Sequence, residues 1–127
     1  MLLGDGQLGQ TRVLRPETVA EMGKNQIGEL TVGLLKSSVP GSSNDAEFFP
    51  GMVKKWGLGY MISTEVAPTG RSAGSLAWAG LANTYYWIDP TRRITGLILT
   101  QILPFADAMA LELFAQFERG IYAASSP

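Results

Sequence analysis

Trp78-Ala79-Gly80-Leu81-Ala82-Asn83-Thr84-Tyr85-Tyr86-Trp87-Ile88-Asp89-Pro90 is the stretch whose reading decides the fold. Thr84 to Ile88 are aromatic or β-branched, the residue types that suit a pleated, half-buried surface, and they predict a strand. Ser75 to Trp78 predict the strand before it. Asp89-Pro90-Thr91-Arg92 carries turn chemistry, and Ile94 to Gln101 predicts the strand that follows. Ile94 and Ile98 lie on one face of that strand with Leu97 and Leu99 on the other, so both faces are expected to be buried, as in the central strand of an antiparallel meander. Upstream, Trp56, Leu58, Tyr60 and Ile62 alternate with Gly57, Gly59, Met61 and Ser63, which reads as one strand. Pro68 to Gly70 make a turn.

Helices flank these strands. Pro104 opens a long one, in which Ala106, Met109, Ala110, Leu113, Phe114, Phe117 and Ile121 follow helical spacing. Asp107 near its start and Arg119 near its end suit the helix dipole. Pro16 and Glu17 start a shorter helix whose buried stripe would be Val19 and Met22, although Arg15 is a poor N-cap. Met1 to Leu3 read as the tail of a helix and Gly4-Asp5-Gly6 as its stop. Ile27 to Lys36 is ambiguous, and Pro40 to Asp45 is a loop. The reading is an α+β fold in one domain, 1–127: an antiparallel sheet of about three to four strands packed by a long C-terminal helix.

Composition narrows the chemistry. The 127 residues are 46% hydrophobic and 17% charged, with net charge −1, enough for one domain with a real core. Histidine and cysteine are both absent. That removes a Ser-His-Asp triad, a cysteine nucleophile, a disulfide and His- or Cys-ligated zinc from this chain. No metal site and no cofactor are expected. Ten basic residues against eleven acidic ones, with no basic run longer than Lys54-Lys55 or Arg92-Arg93, give no footprint for nucleic acid. Both pairs read as solvated surface. The apolar stretch from Ile94 to Ala106 is too short and too polar to span a membrane.

Three motif matches are rejected on context. Gly4 to Gly9 fits G-x-G-x-x-G, but only three residues precede it, too few for the strand that a dinucleotide site requires. Gly70-Arg71-Ser72-Ala73-Gly74 fits the nucleophile elbow, yet it joins two predicted strands and no histidine exists to serve Ser72. Ser42-Ser43-Asn44 lies in a turn-rich loop and reads as solvent-facing. Ser-x-x-Lys, which sets nucleophile and base on one helix face, is missing: the residues three before Lys24, Lys36, Lys54 and Lys55 are Glu21, Gly33, Gly51 and Met52.

Trp78-Ala79-Gly80, then Asp89-Pro90, Leu97 to Gln101 and Pro104-Phe105, form an ordered series that resembles the serine β-lactamase-like hydrolases: class C β-lactamases, D-alanyl-D-alanine peptidases and related esterases. Met1-Leu2-Leu3, Val13 to Val19 and Trp56-Gly57-Leu58-Gly59-Tyr60 fit the same resemblance, which runs over about Met1 to Ala124. It implies a partial β-lactamase/transpeptidase-like fold. It also implies that Trp78-Ala79-Gly80 is the family's third element, on the edge strand beside the active site. Trp78 would line the acyl or leaving-group pocket, Gly80 would admit substrate close to the strand, and the N–H of Leu81 would be an oxyanion donor. Ala79 departs from the commoner second glycine. Read without the resemblance, Trp78 is core and Gly80 a bulge.

The family's Ser-x-x-Lys and Tyr-x-Asn are absent, since Gly23, Ser42 and Leu81 stand two before the three asparagines. No catalytic residue is therefore assigned within the chain. The expected role is the C-terminal portion of a serine hydrolase, inactive alone, which meets a small ester, β-lactam or peptide substrate only when an N-terminal part is present. The rival is a non-catalytic, self-associating interaction module that reuses the half-fold; a third reading is a hydrolase built on Ser72. Homo-oligomerisation is expected through the strand Ile94 to Gln101. Nothing in the chain states its localisation.

Overall fold

The computed structural model describes residues 1–125. Its elements in chain order are β1 (Gln7–Leu8), β2 (Thr11–Arg12), α1 (Pro16–Met22), β3 (Lys54–Trp56), β4 (Met61–Ser63), β5 (Leu76–Gly80), β6 (Thr84–Asp89), β7 (Ile94–Ile98) and α2 (Ala108–Ala124). β1 and β2 form a small ribbon, and β3 to β7 form one antiparallel sheet in sequence order. This is the α+β meander that the aromatic stretch predicts. It has five strands because Trp56 to Ser63 folds as a hairpin and not as one strand. Gly59 adopts φ +93°, and a Cβ on Gly57 would fall 2.3 Å from the Met22 carbonyl oxygen, so the chain turns at Gly57–Tyr60 and packs tightly against the end of α1. Leu58 at the tip is exposed.

Trp87, on the strand beside the edge strand β7, is fully buried, and the sequence makes room for it. It pairs with Gly96 across β6 and β7, where a Cβ would lie 1.9 Å from the indole ring. Phe114 of α2 stacks on Tyr85 at 4.9 Å and meets Trp87 edge-on at 5.7 Å. Ala77 and Ala110 complete the contact between sheet and helix.

Further expectations are corrected. β7 is an edge strand ending at Ile98, not a central strand reaching Gln101: Gly96 faces the core, while Leu97 and Leu99 are 55% and 72% exposed. Helix α2 starts after Asp107, whose side chain accepts from the Ala110 N–H at 2.9 Å as an N-cap. Its buried face is Ala110, Phe114, Glu118 and Tyr122, whereas Met109, Leu113 and Phe117 are exposed. Lys54 is not solvated; it is 1% exposed, and its Nζ donates to the carbonyls of Phe49 and Met52. Lys55 likewise reaches the carbonyls of Gly28 and Leu30.

The short first helix is present, with Arg15 at its N-cap position and no side-chain cap, and Val19 and Met22 are half-buried. Met1 to Leu3 are not the end of an α-helix: Leu2–Gly4 is a single 3₁₀ turn. The ambiguous segment runs along the outer side of β3, where Gln26 N–H donates to the Trp56 carbonyl and Val32 N–H to that of Lys54. Among the described residues no helix is long and apolar enough to cross a membrane.

Glu118 owes its burial to Arg71, in the loop between β4 and β5. Arg71 Nε donates to Oε1 and Nη2 to Oε2, a bidentate pair with both side chains at 2% exposure or less, and Thr69 Oγ1 also donates to Oε1 at 2.6 Å. Removing one member of a buried pair leaves an uncompensated charge, at a cost of about 3–5 kcal/mol. Glu118→Gln is expected to lower unfolding stability by that amount in urea titration. Arg71→Met combined with Glu118→Leu should recover most of the loss, and a double variant no better than the single one would show that the pair does not act as a unit.

Candidate functional site

Strand β5 is longer than its neighbour β4. Met61 and Ile62 pair with Ala77 and Leu76, and β4 goes no further. Trp78, Ala79 and Gly80 therefore pair only with Tyr86, Tyr85 and Thr84 of β6, and their other side is a free edge. Only this half of β5 has a free edge. Leu81 follows in a three-residue turn and is 60% exposed. Asn83 closes the turn at φ 57°, the left-handed conformation that such hairpin loops need.

Trp78 is half-buried. Its ring meets Trp56 edge-on at 4.5 Å and Phe48 at 6.0 Å, and Tyr86 lies opposite it on β6. Gly80 pairs in regular register with Thr84, so it is no bulge. A Cβ there would meet only Thr84, at 3.6 Å from its side chain, an ordinary contact. Along the free edge lies a cavity of about 370 Å³, walled by Phe48, Trp78, Tyr85, Leu111 and Phe114, with Arg71 at its back. Its walls suit an apolar group.

The turn that carries Leu81 is braced from below by Asn83. Asn83 Nδ2 donates to the carbonyls of Ile102 and Pro104 at 2.9 and 2.8 Å. Its Oδ1 accepts from Tyr85 Oη at 2.6 Å and from the Asp107 N–H at 3.1 Å. Thr100 Oγ1 donates to the carbonyls of Ala82 and Asn83. Burial, reinforced by the Asp107 charge and partly offset by a hydrogen bond with the Ala106 backbone, pushes the Tyr85 hydroxyl up to about 12. Asn83 belongs to no Tyr-x-Asn motif; the signal that finds it is an Asn at the end of a short hairpin turn.

A second polar cluster lies at the other end of β6. Asp89 is fully buried; its carboxylate accepts from the N–H groups of Ser72 and Arg92 at 2.9 and 3.0 Å and from Tyr122 Oη at 2.8 Å. Trp87 Nε1 donates to Tyr122 Oη. Burial works against the Asp89 charge, but these donors outweigh it and hold the carboxyl below its usual value. Ser72 thus sits in a loop between two strands, its backbone holding Asp89 in place. The loop Ser42-Ser43-Asn44 is less solvent-facing than its composition suggests. It is stitched to the lead-in of α2: Asn44 N–H donates to the Phe105 carbonyl, and Phe105 N–H to that of Ser42.

The chain is similar to solved structures of simvastatin synthase (LovD) from Aspergillus terreus. The unliganded selenomethionyl derivative superposes with a TM-score of 0.74 at 24% identity over 97% of this chain, and the LovD6 mutant with 0.73 at 25% over 98%. The chain spans about a third of their length, 31% in each case. No protein-family profile and no curated protein sequence matches it. The likeness establishes the fold: the five-stranded sheet with its C-terminal helix is a partial β-lactamase-like fold.

Because Tyr85 titrates near 12 in the folded chain against 10 for a free tyrosine, folding favours its protonated form. The Tyr85 contribution is fully present below pH 10 and is lost as pH rises through about 12. Urea midpoints measured from pH 8 to 12 are expected to fall above pH 10. In Tyr85→Phe that alkaline fall should be shallower, and an unchanged slope would remove Tyr85 from the brace.

Proposed function

We propose that this chain is the C-terminal portion of a serine hydrolase of β-lactamase-like fold and supplies one wall of an acyl-transfer site whose nucleophile lies outside it. The observation that carries this reading is the free half of β5, Trp78 to Gly80, which runs past β4 and ends in the exposed Leu81. An acyl-serine reaction needs N–H donors about 3 Å from the oxygen that becomes negative as the serine hydroxyl adds to the substrate carbonyl. A strand edge presents such donors already oriented and costs no reorganisation during the reaction. In this reading Leu81 N–H is one donor, Gly80 lets the substrate backbone approach, and Trp78 borders the pocket for the acyl or leaving group. Collapse of the oxyanion expels the alcohol or amine, and water later releases the acid.

The substrate class is an ester or an amide, β-lactams included. Alone, the chain is inactive, because neither Ser-x-x-Lys nor Tyr-x-Asn occurs in it. Incubation with a fluorophosphonate or a penicillin should leave the intact mass unchanged, and stoichiometric labelling at Ser72 would overturn the proposal.

The wall is tested by complementation. Co-expression with the N-terminal part of a β-lactamase-like esterase is expected to restore ester hydrolysis. Leu81→Pro removes the N–H and should lower the restored turnover by about a hundredfold or more, with KM little changed, whereas Leu81→Ala keeps the N–H and the activity. Restored activity that is indifferent to Leu81→Pro, in a variant with unaltered circular dichroism, would take Leu81 out of the site.

A further inference from the structure

Leu81 does nothing to aim its own N–H. Its side chain is exposed, and among the described residues its N–H donates to no backbone carbonyl. Gly80, the residue before it, has no Cβ and so resists rotation of the Gly80–Leu81 peptide plane least of all residues. Where that N–H points is therefore set by what holds the rest of the turn 81–83.

One end of the turn is held by β6, where Gly80 pairs with Thr84. The other end is held by the segment 100–104, which follows β7. The Thr100 hydroxyl donates to the Ala82 carbonyl and is shared with the Asn83 carbonyl at 3.1 Å. The Ile102 N–H adds a second bond to the Ala82 carbonyl at 3.3 Å. In return, the Asn83 side chain donates to the carbonyls of Ile102 and Pro104.

A single hydroxyl shared by two successive carbonyls makes both of them converge on it. Peptide units are planar, and each residue adds only two soft angles. Fixing the Ala82 and Asn83 carbonyls therefore fixes the peptide planes that carry them. With Gly80 held at the other end, Leu81 is left between two anchored points, and its N–H keeps one direction. Buried Asn83 ties the segment to the turn, but Thr100 alone places a side-chain donor on the backbone next to Leu81.

We propose that Thr100 is a positioning residue for acyl transfer: by drawing the Ala82 and Asn83 carbonyls together, it aims the Leu81 N–H at the oxyanion. The proposal rests on the reading of Leu81 as a donor. It adds a residue that acts through the backbone and is not a catalytic group. A donor that is already oriented costs no reorganisation when charge develops, and one that swings loses most of its effect.

Two variants separate the hydroxyl from the shape of the side chain. Thr100→Val removes the hydroxyl and Thr100→Ser keeps it; circular dichroism confirms that each is folded. The first measurement is nitrogen-15 relaxation of the chain by itself. In the unaltered chain and in Thr100→Ser, the Leu81 amide is expected to show the order parameter of rigid backbone, about 0.85. In Thr100→Val it should fall to about 0.6 or below, while the Tyr86 amide on β6 stays rigid. The second measurement uses the chain complemented with the N-terminal part of a β-lactamase-like esterase. Thr100→Val should lower turnover about tenfold with KM unchanged, and Thr100→Ser should restore it to within about twofold. In a Leu81→Pro background, Thr100→Val should cost nothing further, because the donor it aims is gone. A Leu81 amide as rigid in Thr100→Val as in the unaltered chain overturns the proposal. So does a Thr100→Val loss that adds in full to that of Leu81→Pro. Restored activity indifferent to Leu81→Pro removes the donor itself, and with it the role of Thr100 in the reaction, even where relaxation shows that the hydroxyl stiffens the turn.

Discussion

The pairing of Arg71 with Glu118 fixes how the rest of the molecule is arranged around the sheet. A helix with apolar residues on more than half its circumference has several ways to lie on an aromatic surface, and hydrophobic burial alone hardly distinguishes them. A carboxylate that must be buried needs its partners in one place. Glu118 finds the guanidinium of Arg71 and the hydroxyl of Thr69, and one turn further on Tyr122 reaches Asp89. A buried pair adds little net stability over an apolar pair of the same shape, yet breaking it costs several kcal/mol. Its effect is therefore on choice: rotations of α2 that would bury Met109, Leu113 and Phe117 would also strand Glu118 without a partner.

The same contacts set the loop between β4 and β5. Arg71 is enclosed by Phe49, Trp87 and Phe114, with its guanidinium 5.0 Å from the Phe49 ring. Ser72 N–H caps Asp89 at the end of β6. One end of the β5–β6 hairpin is held by Asp89 and the other by Asn83, so the strand between them has little freedom to move. If this strand is the wall proposed above, it needs that rigidity, because a donor displaced by an ångström loses most of its effect. Neither brace touches the free edge of β5. They support it from the ends and from beneath, and leave Trp78 to Leu81 open.

How much of this was legible in the sequence follows from which force decided each part. The strand at Thr84–Asp89 was readable because β-branched and aromatic residues state their preference locally, and Ser75 to Trp78 was read as the strand before it. The place of Trp78, Gly80 and Leu81 on one strand and its turn came from the motif series; composition carries no such information. The hairpin at Gly57–Tyr60 was missed because alternation at period two is blind to a glycine with positive φ. The buried face of α2 was misread for a deeper reason. Hydrophobic spacing ranks Met109 and Leu113 above Glu118, and only Arg71, 47 residues away, reverses that order. Lys54 was misread for a different reason: the carbonyls that satisfy its ammonium, those of Phe49 and Met52, are close in sequence, but only the folded backbone turns them toward it.

The reversal has a consequence for the outer surface. Burying two polar side chains on the core face of α2 means that the apolar residues they displaced must lie elsewhere, and Met109, Leu113 and Phe117 lie beside β7. On that side Gly96 yields its side-chain volume to Trp87, so β7 sits close against the core and carries little bulk of its own to shield its backbone. A packed interior and an uncovered edge are thus two results of one substitution pattern: glycine under tryptophan, glutamate opposite arginine. Each is locally favourable. Together they set β7 at the edge of the sheet among the described residues, with Leu97 and Leu99 turned away from the core.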